Sequence, residues 1–281
     1  MASPHTEQPS QIGGAVPRFS WKTTLVVLAI LGVTGWSAWG TEFDLVKLFT
    51  STTPIERFVS GMFPPDLSAT TLRTTAAGVL ETFQMSFLGA LIGAVMAFPL
   101  AALATSEEPT VGASPGERIL RVIPYHVSRF ILNVFRSVPD ILWALVFVVA
   151  LGLGPFPGTL ALAVHSAGIL GKLYSEALEA VPARPVEALR ATGAGILQSF
   201  LFGRLPQAIS GFTSLTLYQW ECNIRSATIL GFVGAGGIGQ QILVSMNLFD
   251  YPKVATLVGA TIIVVLAVDR FSATIRRRLT Y

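Results

Sequence analysis

The chain has 281 residues, of which 52% are hydrophobic and only 12% are charged, and its mean hydropathy is +0.62. This composition excludes an ordinary soluble domain and indicates an all-α integral membrane protein, because the long apolar runs do not alternate with polar residues as barrel strands would. The net charge of +3 does not indicate nucleic-acid binding, since the basic residues are scattered at the ends of apolar segments, where they set membrane orientation.

The amino-terminal part of the chain predicts a tail followed by a membrane anchor. Residues 1–21 are polar, contain proline and glycine and lack periodicity, so we expect a mobile cytoplasmic tail. The first apolar span, 23–40, follows Arg18 and Lys22, and this positive flank places the amino terminus in the cytoplasm. We interpret the span as a retained anchor rather than a cleaved signal peptide, because the polar lead is long and further spans follow. Short interfacial helices are expected outside the membrane before Pro64-Pro65.

Further apolar spans bring the prediction to about six transmembrane helices within a single domain, 22–281, with both termini in the cytoplasm. The remaining five are 81–104, 130–154, 159–173, 207–230 and 254–268. Gly89, Gly93 and Pro99 in the second span predict close helix packing and a kink. Residues 231–252 are expected to form an external, glycine-rich connection.

The sequence offers no set of residues for catalysis or for metal binding. Cys222 is the only cysteine, so no intrachain disulfide is expected, and the three histidines have no metal-ligand spacing. A membrane-bound enzyme would need a nucleophile, a metal or a cofactor set, and none is recognisable. We therefore expect no catalytic residues and no bound metal or cofactor in this chain.

Charged and amide side chains interrupt the fifth span, where they are costly and usually face a cavity or a partner. Glu221 and Arg225 are four residues apart, which predicts an ion pair on one helix face. A purely structural pair is one interpretation. The other is that Arg225 lines a path for an anion, together with Asn223, Ser226 and Thr228.

Two further segments are candidates for a gate. Arg136-Ser-Val-Pro139-Asp140 predicts a charge pair around a proline that kinks or begins a helix, although Arg136 could equally be an interfacial arginine. The glycine-rich run 231–239 lacks the Lys-Ser/Thr and the preceding strand of a phosphate-binding loop, so the chain should not hydrolyse ATP. Its glycines, Gly234, Gly236 and Gly237 among them, predict a sharp reversal and tight helix contact near an outer gate, with simple loop flexibility as the alternative.

The stretch 174–206 interrupts the apolar spans with a helix, a break and a second helix that stops at a proline, an arrangement suited to docking at a membrane face. It resembles the coupling-loop signature of the membrane subunits of ABC importers, which runs Glu-Ala-Ala, three residues, Gly, nine residues, Ile, one residue, Leu-Pro. The matching residues are Glu187, Ala188, Gly193, Leu205 and Pro206. Leu189 replaces the second alanine and Gly203 replaces the isoleucine, at positions where packing rather than charge matters. An ordinary amphipathic loop helix is the alternative.

Three runs extend this resemblance over residues 80–270: the Arg136 run, His165 to Glu176, and Asn223 to Gly239. Together they are similar to the phosphonate-type permeases of ABC importers. The resemblance implies a type I permease fold in a bacterial cytoplasmic membrane and a homodimer of this chain. It also implies two ATPase subunits that hold ATP and Mg, an external solute-binding protein, and phosphonate, phosphite or phosphate as cargo. A methionine-type permease is the alternative within the family, and a secondary transporter is the alternative outside it.

Overall fold

A computed structural model describes residues 21–44, 52–105 and 115–279, and every regular element in these ranges is helical. The all-α prediction is therefore confirmed. The tail predicted at 1–21 lies outside the described residues except for Trp21, which begins α1. By contacts the chain divides into two units, 1–57 and 58–281. The main helices are α1 Trp21–Gly40, α2 Thr52–Gly61, α3 Ala69–Ala104, α4 Pro115–Ser137, α5 Asp140–Leu151, α6 Pro155–Glu179, α7 Ala183–Ala191, α8 Leu205–Leu230, α9 Gly237–Asn247 and α10 Tyr251–Leu279.

Three described helices, α1, α3 and α10, are individually long and apolar enough to cross a membrane. Two bent helix pairs raise this number to as many as five, the first formed by α4 with α5 and the second by α8 with α9. Helix α6, at 25 residues, is about 37 Å long, which is enough to span a bilayer. Its most apolar stretch is less apolar than those of α1, α3 and α10, because it contains many small and polar residues. These residues are buried against neighbouring helices.

Helices α3 and α6 form the centre of the second unit through small residues. An added Cβ at Gly89 would lie 2.7 Å from the Cβ of Leu162, and one at Gly93 would lie 2.6 Å from the Cβ of Ser166. This Gly-x-x-x-Gly spacing lets two helix backbones approach closely, as in membrane helix pairs in general. The predicted close packing at both glycines is confirmed. Helix α3 also continues through Pro99 to Ala104.

The predicted third span, 130–154, is not one helix. Helix α4 begins at Pro115 and ends at Ser137, and α5 begins at Asp140 after a bend of 88°. Proline has no N–H and disfavours helical conformation in the residue before it, so Pro139 ends the first helix and starts the second. We call the segment Arg136–Asp140 the elbow.

The segment 231–252, predicted as an external connection, contains a helix. A 3₁₀ turn, Gly231–Val233, follows α8, and a glycine-rich loop then leads into α9. Helix α9 packs against α3 and α10, and its residues Ile238 and Ile242 join Leu257 in a buried cluster. The prediction missed α9 because the glycines that lead into it dominate the local sequence pattern.

Candidate substrate path and coupling segment

The elbow is held by two side chains that satisfy backbone carbonyls freed by the bend. Pro139 cannot donate to the carbonyl of Phe135, and the indole Nε1 of Trp143 donates to that oxygen instead, at 3.2 Å. The first turn of α5 bonds to the carbonyl of Pro139, which leaves the carbonyl of Val138 outside the helix. The imidazole of His165 on α6 supplies the hydrogen-bond partner, with Nδ1 3.1 Å from the carbonyl oxygen of Val138. Because a carbonyl can only accept, Nδ1 carries the hydrogen.

The predicted pair of Arg136 and Asp140 is not formed. Arg136 donates through Nε to Oδ1 of Asn133 at 3.1 Å, and Asp140 accepts from the backbone N–H of Ile141. The bend turns the two side chains apart, because positions 136 and 140 belong to different helices. Gly168 of α6 lies against the backbone here, since an added Cβ would be 2.5 Å from the nitrogen of Arg136. The guanidinium of Arg136 is left on the exposed side of the elbow.

The predicted ion pair between Glu221 and Arg225 is also wrong. Each residue pairs instead across to α10: Nη2 of Arg276 lies 2.8 Å from Oε1 of Glu221, and Nη2 of Arg225 lies 3.5 Å from Oδ1 of Asp269. Arg225 uses its Nε to donate to the backbone carbonyl of Glu221 at 3.3 Å. Arg225 therefore contacts the backbone of Glu221 rather than its carboxylate.

The two pairs differ in burial, and this difference separates their roles. The side chain of Glu221 is 7% exposed, and the Arg276 guanidinium that neutralises it lies beside the ring of Tyr218. The side chain of Arg225 is 52% exposed, and its contact to Asp269 is long for a direct ion pair. A buried carboxylate requires its partner for stability, whereas a half-exposed arginine with a loosely held counter-ion keeps donors for a second ligand.

Asp269 and Arg276 are the site residues that sequence reasoning missed. The predicted last span stopped at 268, so both residues fell outside it, although α10 continues to Leu279. A signal was present in the spacing. Asp269 and Arg276 are seven residues apart and therefore share a helix face, as Glu221 and Arg225 do, and in both helices the acidic residue comes first. With this order of charge in both helices, opposite charges meet when the two faces pack against each other in antiparallel orientation.

The other predicted path residues of α8 are less exposed than Arg225. Asn223 is 2% exposed, and its amide lies within 3.0 Å of Ser166 Oγ on α6 and of Gln219 Nε2 on α8. Thr228 donates its hydroxyl to the carbonyl of Ile224 in its own helix, and Ser226 is half-buried. Arg225 is therefore the residue among the predicted path residues of α8 that is most open to a passing solute.

The glycines of the loop before α9 adopt conformations that other residues rarely occupy. Gly234, Gly236 and Gly237 have φ values of 84°, 84° and 72°. An added Cβ at Gly236 would lie 2.6 Å from Oε1 of Glu81, and one at Gly237 would lie 2.6 Å from Oγ1 of Thr82. The predicted tight contact is present, and the backbone of Ile238 donates to Thr82. The helices on either side of the loop meet at a bend of 41°, which is less than the sharp reversal that was predicted. The role of this loop as a gate remains a prediction.

The predicted coupling segment, 174–206, holds the end of α6, helix α7 and a π-helical stretch, Ser199–Arg204, that runs into α8. Glu187 and Ala188 are exposed on α7, while Val186 is buried beneath them. Gly193 has a φ of 87° and ends the helix: its N–H bonds to the carbonyl of Arg190, and that of Ala194 bonds to Leu189. This pair of bonds is a Schellman motif, which requires a left-handed residue at this place.

The two departures from the coupling signature contact each other. An added Cβ at Gly203 would lie 3.0 Å from Cδ1 of Leu189, so Gly203 faces the larger side chain of α7. The signature has alanine at the first position and isoleucine at the second. Leu189 is larger and Gly203 is smaller than the residue that the signature has at each position. The added side-chain volume at Leu189 therefore offsets the volume missing at Gly203, so α7 stays packed against the π-helical stretch.

This exchange predicts non-additive effects on stability. Gly203→Ile should clash with Leu189 and lower the unfolding free energy by about 1–3 kcal/mol, as overpacking does. The double variant with Leu189→Ala restores the volume, so we expect it to recover most of this loss. Thermal unfolding of the purified complex for both single variants and the double variant measures the coupling. Additive losses would contradict a direct exchange of volume.

Within the described ranges, no group of three or more His, Cys, Asp or Glu residues is arranged to hold a metal ion. Charged residues of α8 and α10 instead form pairs between helices. A multi-pass helical bundle whose charged residues pair between helices, and whose spans are interrupted by a further helix, is typical of membrane transport proteins.

Residues 109–281 match the family described as binding-protein-dependent transport system inner membrane component, and the chain belongs to this family. The chain is 37% identical over 254 residues to the putative phosphite transport system permease protein HtxC of Stutzerimonas stutzeri, covering 90% of this chain and 85% of HtxC. It is 34% identical to the phosphate-import permease protein PhnE of Mycolicibacterium smegmatis, covering 86% of this chain and 43% of PhnE. These matches confirm the predicted family.

The fold also matches a solved structure of the MetNI methionine ABC transporter in an inward-facing conformation. The TM-score is 0.64 at 26% sequence identity, over 76% of this chain and 100% of the matched chain. The predicted type I permease fold is confirmed by this likeness. Because one fold serves many substrates, the match does not define what this chain carries.

Proposed function

We propose that this chain is the permease subunit of an ATP-driven importer that carries phosphite, phosphate or phosphonate across the bacterial cytoplasmic membrane. The likeness to HtxC and PhnE, whose names give phosphite and phosphate, supports a phosphorus oxyanion. The observation that carries the proposal is Arg225, half-exposed in α8 with Asp269 as a loose counter-ion. Its planar guanidinium can hold two oxygens of one oxyanion.

The complete importer would contain other subunits. Two copies of this chain would enclose the path, because one helical bundle offers too little wall and a two-fold interface doubles it. Two ATPase subunits holding ATP and Mg would dock on α7 in the cytoplasm, and a solute-binding protein would deliver cargo from outside. Both termini would be cytoplasmic. A second, different permease chain in place of the second copy is an outcome that native mass spectrometry distinguishes.

The exposed residues Glu187 and Ala188 mark the surface on α7 that would meet the ATPase. The path would run past the charged faces of α8 and α10 and past the elbow, where Arg136 is a second exposed arginine. Arg225 would be a weak, transient contact, since a strong site would trap the cargo. The binding protein would then supply most of the selectivity.

The test is transport by the purified complex in liposomes with its cognate ATPase and binding protein. Phosphite, phosphate, methylphosphonate and methionine are offered separately, and both uptake and ATPase stimulation are measured. We expect uptake of at least one phosphorus oxyanion and none of methionine. Uptake of methionine alone would instead assign the methionine-type function. Ala188→Trp should abolish stimulation by blocking docking, and Ala188→Ser should not.

A further inference from the structure

The proposed function does not use Arg129 of α4, whose side chain contacts the carboxyl ends of two other helices. Its Nε donates to the carbonyl of Ala104, the last residue of α3, at 3.1 Å. Its Nη2 lies 2.9 Å from Oε1 of Glu179, the last residue of α6. Its Cζ lies 4.7 Å from the ring centroid of Tyr125, one turn earlier in α4. One side chain therefore connects three helices.

The charges at this point require a cation. The carboxyl end of a helix carries a partial negative charge, so the ends of α3 and α6 repel one another where they meet. Glu179 adds a full negative charge to the end of α6, where an acidic residue is unfavourable. The guanidinium of Arg129 compensates both, and its fixed planar geometry lets separate nitrogens serve the two helix ends.

The position of Glu179 connects this contact to α7. Three residues, 180–182, separate the last residue of α6 from the first residue of α7, and Pro182 precedes that helix directly. The direction in which α7 leaves the bundle is therefore set by where α6 ends. Fixing Glu179 against α3 and α4 fixes the base of the predicted docking helix.

We infer that Arg129 is a positioning residue for coupling: it holds the ends of α3 and α6 together so that movement of α7 is passed to the helical bundle. This inference rests on the proposed docking of an ATPase on α7. Without Arg129 the ATPase can still dock and hydrolyse ATP. The end of α6 is then held less firmly against α3 and α4, so less of the movement of α7 is passed to the helical bundle.

The experiment compares Arg129→Gln and Glu179→Gln with Lys172→Gln in the complete complex. Lys172 forms an ion pair with Glu176 at the same 2.9 Å, but both residues lie on α6, so this control breaks a pair that joins no helices. Hydrogen exchange of residues 176–191 and the ratio of phosphite taken up to ATP hydrolysed are measured. We expect faster exchange and about a fivefold lower ratio for Arg129→Gln and Glu179→Gln, and neither change for the control.

Two further variants keep the test decisive if Arg129→Gln assembles poorly. Arg129→Lys retains the charge but cannot serve both helix ends, so its ratio should fall in between. Arg129→Glu combined with Glu179→Arg restores the pair in reverse and should recover part of the ratio. Unchanged exchange and an unchanged ratio in Arg129→Gln would overturn the inference. If the unaltered complex takes up no phosphorus oxyanion, the cargo assignment fails, while the exchange data still decide the role of Arg129.

Discussion

Replacing Gly239 with alanine should prevent normal folding of the bundle. An added Cβ would lie 1.7 Å from the carbonyl oxygen of Thr228, a backbone atom that cannot move without shifting the end of α8. We expect the unfolding free energy to fall by about 3 kcal/mol or more, at the upper end of the range for overpacking. Thermal unfolding of the purified complex, together with its yield, measures the effect.

Gly259 provides the matched control, since it lies in α10 with nothing within 4 Å of an added Cβ. Gly259→Ala should be neutral or raise stability by up to about 1 kcal/mol, because alanine is the better helix former. Equal unfolding temperatures for Gly239→Ala and Gly259→Ala would show that the contact between α8 and the start of α9 is looser than the short distance indicates.

Removing the charge of Asp269 should alter transport more than stability. With Asp269→Asn, Arg225 loses its counter-ion and should hold an oxyanion more tightly, so KM falls and kcat falls with it because release slows. Arg225→Gln should lower kcat/KM about tenfold or more, since a hydrogen bond to a charged group contributes about 1.5–3 kcal/mol. Initial rates of phosphite uptake over a range of concentrations separate the two parameters.

Glu221→Gln is the informative comparison, because it removes the buried carboxylate that Arg276 neutralises. It should lower stability by no more than about 3 kcal/mol, since the Arg276 side chain remains 27% exposed. Its transport parameters should stay close to those of the unaltered chain once the amount of complex is corrected for. If Asp269→Asn and Arg225→Gln leave both KM and kcat unchanged, Arg225 is not in the path.

The sequence predicted the class of fold because the composition and the length of an apolar segment indicate a membrane helix without knowledge of which residues it contacts. It also predicted the close approach at Gly89 and Gly93, since two glycines one turn apart in an apolar helix are typical of a backbone contact between membrane helices. It predicted a kink or a helix start at Pro139 but not the 88° bend of α4 and α5, because a proline in a helical pattern is compatible with a modest kink as well as with a complete break.

The site was harder to predict, since ion pairs between helices depend on which faces meet. Glu221 and Arg225 have the spacing of a pair within one helix, and that local rule gave the wrong partners. The long-range partners Asp269 and Arg276 were more favourable because they bring opposite charges together while joining two helices. Gly193 is a different case. The spacing of the signature predicted a glycine at this position but not why one is needed, and the structure shows that the backbone there is left-handed, a conformation that favours glycine.

Helix α6 makes the end that leads into α7 and the elbow parts of one rigid body. His165, which holds the carbonyl of Val138, and Glu179, which contacts Arg129, are fourteen residues apart on the same uninterrupted helix, a distance of about 21 Å. Any rotation or translation that α7 imposes on the end of α6 must therefore displace the imidazole that braces the bend. If an ATPase docks on α7 as proposed, its movement would in this way alter the angle at which Arg136 is presented, because the helix between the two places is continuous.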